Sequence, residues 1–131
     1  MAGNKSDFLA NKILDHVFKN GAYSNSTGVY ISLHTGSPVS TSNEVTDSNA
    51  YARQGSVSFG AATARLTDND NAIEFPEATG DWDTVSHIAI YDTDTYRAGN
   101  QLFWGPLSVS KKVENGDILR VPAGDLNVSY A

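Results

Sequence analysis

A chain of 131 residues with 40% apolar side chains has enough material for one self-supporting core, so a single domain over residues 1–131 is expected. Its formal charge of −6 repels phosphate backbones, and the lack of cysteine removes disulfides, thiolate metal sites and cysteine nucleophiles. No apolar run is long enough to span a membrane and no basic-then-apolar leader opens the chain, so neither nucleic acid nor a membrane is an expected partner.

The first periodic segment runs from Asp7 to Phe18. Leu9, Ala10, Ile13, Leu14, Val17 and Phe18 recur at spacings of three and four, which predicts one amphipathic helix. Ser6 suits its N-cap, and Lys19-Asn20-Gly21 supplies a basic last turn and a left-handed stop. After Gly21 the period falls to two, and Val29 to His34 reads as a strand. Residues 35–50 are mostly Ser, Thr, Asn, Asp, Gly and Pro, which predicts a long surface loop of the kind that often carries contacts.

Further short strands are expected at Tyr51–Phe59, Ala72–Phe75, Thr84–Tyr91, Gln101–Leu107, Ser108–Val113, Asp117–Val121 and Leu126–Tyr130. Asn115-Gly116 suits a type I′ hairpin turn, and Arg97 to Asn100 another turn. Alternation breaks around Val85, Ile88 and Ile90, where a bulge or a doubly buried strand fits, and Pro106 and Pro122 limit their strands to edges or ends. One helix followed by many short strands predicts an all-β fold, an antiparallel β-sandwich or jelly roll with one N-terminal α-helix.

Residue sets for catalysis do not converge. His16, His34 and His87 lack metal-ligand spacing, and Ser108 to Lys111 has the Ser-x-x-Lys spacing on a strand instead of at a helix start. Asp68-Asn69-Asp70-Asn71 opens like a calcium loop, but Ala72, Ile73 and Thr79 occupy the positions that should continue it, so an Asx-rich turn is expected. Asp81 with Asp83 and Asp92 with Asp94 read as solvated loop ends, and no glycine-rich phosphate cradle is present. No catalytic residue, cofactor or metal is therefore expected. Tyr23, Tyr30, Tyr51, Trp82, Tyr91, Tyr96, Phe103, Trp104 and Tyr130 include candidates for sugar stacking or interface anchoring. Phe103 and Trp104 are adjacent, so on one strand they face opposite sides.

Several segments in fixed order resemble a family of accessory virion proteins of tailed bacteriophages, variously tail-fibre-like or capsid-decorating. They are Phe8 to Phe18, Val29 to Thr35 running into Pro38, Glu44-Val45 with Tyr51-Ala52-Arg53-Gln54, and Ile73-Glu74-Phe75-Pro76 with Ala78 to Trp82. Leu102 to Gly105, Ser110 to Val113 and Pro122 to Leu126 complete the set. The resemblance departs at Asp47-Ser48-Asn49-Ala50, where the family usually has Gly-Gly or Gly-Ser. It implies a structural role on the virion, with assembly in the host cytoplasm and a homo-oligomeric state, expected to be a trimer; the partners implied are the major capsid protein or tail proteins. A compact chain without a repetitive shaft favours a capsid-decorating cement protein, with a tail fibre or appendage binding a receptor or carbohydrate as the alternative. Leu9, Ile13 and Val17 are the expected self-contact, unless they cover the subunit's own sheet. The loop with Tyr51, Arg53 and Gln54 is the expected contact with the particle, unless Arg53 pairs internally with an acid.

Overall fold

The computed structural model describes residues 4–24, 28–39 and 41–129, so Ser40 of the expected loop and Tyr130 lie outside the described residues. In chain order the elements are β1 (Asn4–Lys5), α1 (Asp7–Phe18), β2 (Tyr30–His34), β3 (Leu66–Asp68), β4 (Ile73–Glu74), β5 (Asp83–Tyr91), β6 (Gln101–Val113), β7 (Arg120–Val121) and β8 (Asn127–Ser129). Among the described residues the fold is all-β and antiparallel, with one short N-terminal helix and no closed barrel.

Helix α1 begins where Ser6 Oγ accepts the N–H of Leu9 at 3.1 Å, a cap worth about 1 kcal/mol. It ends with Asn20 in the left-handed region at φ 57°, while Gly21 donates its N–H back to Asp15 O at 2.9 Å. The left-handed stop expected within Lys19-Asn20-Gly21 is supplied by Asn20.

The main sheet runs β1-β6-β5-β2. Its register aligns Ile31, Ile90 and Phe103 across three strands, and Leu33 with Ile88, so period-two alternation sends these side chains to one face. They meet Phe75, Trp82, Val85, Val113, Leu119 and Leu126 in the main core, to which the ribbons β3-β8 and β4-β7 contribute Ile73, Val121 and Val128. Opposite the main sheet lie these two ribbons and irregular segments. The opposite face of the sheet carries Ser32, His34, Ala89 and Tyr91, and these are also buried, because the loop after β2 folds back over them. Pro38 is enclosed there, its carbonyl accepting from Gln101 Nε2 at 3.0 Å.

Several expected strands change. Tyr51 to Phe59 makes only isolated bridges, Gln54 with Ile31 and Phe59 with Asn69. The backbone enters that segment through left-handed Asn49 and Ala50, and Gly55 lies so close to Tyr30 that a Cβ there would sit 2.5 Å from the ring. The two strands expected between Gln101 and Val113 are one. Between the pairs Val85–Lys111 and His87–Pro106 the lone Ser86 faces Leu107 to Ser110, so the expected irregularity of β5 is met by an arch in β6 beginning just after Pro106. Asn115-Gly116 is no type I′ turn: only Gly116 has positive φ, and its N–H bonds Ala78 O at 2.7 Å. The following strand pairs with β4 and not with β6. β1 and β3 are too short to leave a periodic signal.

Candidate interaction surfaces

The segments nominated for contact form two different environments. In the first, the polar loop returns to the sheet edge at Glu44 and Val45, whose N–H donates to Leu33 O at 2.9 Å. Glu44 and Arg53 then form a bidentate pair, Nη2 to Oε1 and Nε to Oε2, both at 2.9 Å, with both side chains 0% exposed. Tyr51 donates its hydroxyl to Glu44 Oε2 at 2.8 Å, and Arg97 its N–H to Oε1 at 3.2 Å. Arg53 Nη1 reaches the carbonyls of Thr93 and Ala98 at 3.0 Å each, and its guanidinium lies 4.0 Å from the centre of the Tyr91 ring. This cluster ties the loop to the turn between β5 and β6.

Its electrostatics follow from geometry. Burial alone would raise the Glu44 carboxyl, but hydrogen bonds from Arg53 and Tyr51 outweigh it and hold the group below its ordinary value. Burial, reinforced by the Glu44 charge, raises the Tyr51 phenol. His34 is buried between Ser32 Oγ and the Ser42 carbonyl, each 2.8 Å from a ring nitrogen, and burial lowers its affinity for a proton.

Tyr51 and Arg53 therefore do not meet the expectation of a surface contact. Their polar atoms are consumed within the subunit, because a buried guanidinium needs a carboxylate and Glu44 lies in the same loop system. Gln54 is half-buried, bonded through its backbone to Ile31 and through its amide to Ala52 O. Of the described residues between 35 and 50, Pro38, Glu44 and Val45 are buried and pin the loop to the sheet, while Thr35, Ser37, Val39, Ser42, Asn43 and Thr46 to Ala50 are exposed. Glu44 was not among the nominated residues; the available signal was the Glu44-Val45 pair, a charge beside an apolar residue in a polar stretch.

The second environment is α1. Its first half rests on β6, and Leu9 shares an apolar hollow with Phe103, Leu66 and Val128, so Leu9 and Ile13 are half-buried against the subunit. The second half projects beyond this support, leaving Leu14, Val17 and Phe18 exposed by 54%, 59% and 80%. The nominated stripe is therefore divided, and Val17 is its outward member. Among the described residues no group of three or more histidines and carboxylates is placed to hold a metal ion.

The profile of one family, described as Podophage GP4 fiber I protein gp80, matches residues 4–129. The chain belongs to this family. A search among curated proteins returned no match. Membership in the gp80 fibre family gives the chain a structural role in a tailed bacteriophage and the virion as its setting.

Proposed function

We propose that this chain is a compact subunit of a fibre-like tail appendage, assembled as a homo-oligomer, taken as a trimer, through the projecting half of α1. The observation that carries the reading is the exposed apolar trio Leu14, Val17 and Phe18 at the end of a helix whose first half alone is half-buried against the subunit. Singly exposed apolar residues are ordinary, but three at positions i, i+3 and i+4 lie side by side on the helix surface and make a patch suited to a partner. The lack of a repetitive shaft no longer weighs against a fibre, because the fibre family is matched almost end to end by this compact chain. In this reading the protein is not an enzyme and needs no cofactor; the buried charges serve to fix the loop. The capsid-decorating alternative keeps the same oligomeric subunit but seats it on the shell. Electron microscopy of particles carrying an epitope-tagged chain tests the choice. Label at the tail vertex supports the fibre reading, whereas label over the capsid faces replaces it with decoration.

A further inference from the structure

We propose that the exposed end of α1 in one copy of this chain seats in the apolar hollow beside Leu66 of the next copy, so that subunits join head to tail. The inference rests on the assembly role proposed above and names the surface that receives the helix. Besides Leu9, Leu66, Phe103 and Val128, the hollow is lined by Ala62 and Arg65, and the surface turned into it is carbon almost throughout. Its volume of about 220 Å³ is small for a pocket that encloses a metabolite, about 300 Å³ at least, yet ample for one phenyl group, since an apolar cavity of about 150 Å³ takes up benzene. The same chain presents such a group at Phe18. Phe18 does not reach the hollow of its own subunit. Leu9 stands in that wall, and the helical rise of about 1.5 Å per residue carries Phe18 about 14 Å along the axis from it.

Charge fits as well as shape. At 3.6 residues per turn, Leu14, Val17 and Phe18 share one side of α1 and Asp15 flanks Phe18, while Lys12, His16 and Lys19 fall on the far side. The apolar knob therefore carries a carboxylate at its edge, and the carbonyl end of the helix dipole adds to the negative field. The hollow answers with the exposed Arg65. Among the described residues neither Arg65 nor Asp15 has a salt-bridge partner within the subunit, so docking pairs two charges that are otherwise single. Two helix ends packed symmetrically on each other would cover the trio but leave both hollows open to water. The head-to-tail contact covers one trio and one hollow at every junction. Because its two patches differ, it closes only as a cycle of copies, which the trimer proposed above satisfies.

The test uses two variants of the full chain, Phe18→Glu to spoil the knob and Ala62→Glu to charge the mouth of the hollow. Both positions are exposed, and circular dichroism checks each fold against the parent. In sedimentation, each variant alone should self-associate at least about tenfold more weakly than the parent. Mixed one to one, they should form a two-chain complex and nothing larger. The intact helix end of Ala62→Glu enters the intact hollow of Phe18→Glu, and the two remaining patches are both spoiled. Asp15→Arg and Arg65→Asp should each weaken association about threefold, and the two combined in one chain should restore it. The proposal is overturned if Ala62→Glu assembles like the parent or if the mixture stays monomeric. Dissociation by Phe18→Glu with no effect of Ala62→Glu would leave the assembly role standing on a symmetric helix contact, whereas a parent that sediments as a monomer would remove both.

Discussion

Removing Glu44 isolates the clamp between the loop and the β5-β6 turn. In Glu44→Ala the guanidinium of Arg53 loses two charge-assisted bonds at 2.9 Å and keeps only the carbonyls of Thr93 and Ala98 and the face of Tyr91. Tyr51 and the Arg97 N–H lose their acceptor in the same step. Breaking one side of a buried pair costs about 3–5 kcal/mol because the remaining charge is uncompensated. Against a total stability of roughly 5–15 kcal/mol, that loss should lower Tm by about 10–20 °C. Urea melts followed by circular dichroism give the free energy directly. The double replacement Glu44→Leu with Arg53→Met removes both charges and should recover most of the loss, within about 1–2 kcal/mol of the parent. A cost below about 1 kcal/mol for Glu44→Ala, the value of a solvent-exposed pair, would refute the reasoning that the loop is a packed cover.

Three further outcomes follow from the same structure. Acid should destabilise the fold in two stages. His34 takes up its proton less readily folded than at its ordinary 6.5, so stability begins to fall as pH drops below 6.5. The depressed Glu44 carboxyl adds a second loss below 4.5, continuing through its lower folded value. Urea melts across pH should show the first stage vanish in His34→Gln, and an unchanged slope in that variant would assign the effect elsewhere. On α1, Phe18→Glu should leave subunit stability within about 0.5 kcal/mol yet reduce self-association in sedimentation, whereas Ile13→Glu should unfold the helix from β6; equal sedimentation for Phe18→Glu and parent would remove the helix end from assembly. Asn69 is buried and joins the Asn71 and Pro122 carbonyls to the Leu126 N–H, so Asn69→Ala should cost about 2–3 kcal/mol and speed amide exchange at Leu126. Exchange unchanged at that amide would show that the side chain is no staple.

The helix and the strand after it were legible because their side chains repeat with periods that burial imposes, as in Leu9 and Ile13 or Ile31 and Leu33, whereas β5 shows a broken alternation and β6 reads as two strands. Residues 35–50 were not, because composition reports polarity but not partners. A Glu and an Arg nine positions apart read as two solvated charges until the chain brings them together. The same holds for Tyr51 to Arg53, whose alternation resembles a strand but serves to turn Tyr51 and Arg53 inward toward Glu44. For α1 the period marked an apolar stripe but not where the supporting sheet stops, which is what separates Leu9 from Phe18. The hollow beside Leu9 left no local pattern, since its walls come from α1, β3, β6 and β8 together.

That the polar stretch after β2 is a lid on the second face of the sheet changes where this protein can accept new residues. Insertion between Gly36 and Val45 would lift Pro38 and Ser42 from Gln101 and His34 and open the faces of Tyr91 and Ala89 to water. Asp47 and Ser48 are exposed, and Ser48 bonds within its own turn, donating its N–H to Thr46 O at 2.7 Å and accepting the Tyr51 N–H on its carbonyl at 3.0 Å; the tie to the core comes at Asn49, whose carbonyl accepts from Trp82 Nε1 at 2.9 Å. Length variation should therefore accumulate at Asp47-Ser48, and that tip is the place to graft an epitope or a foreign peptide without disturbing the core.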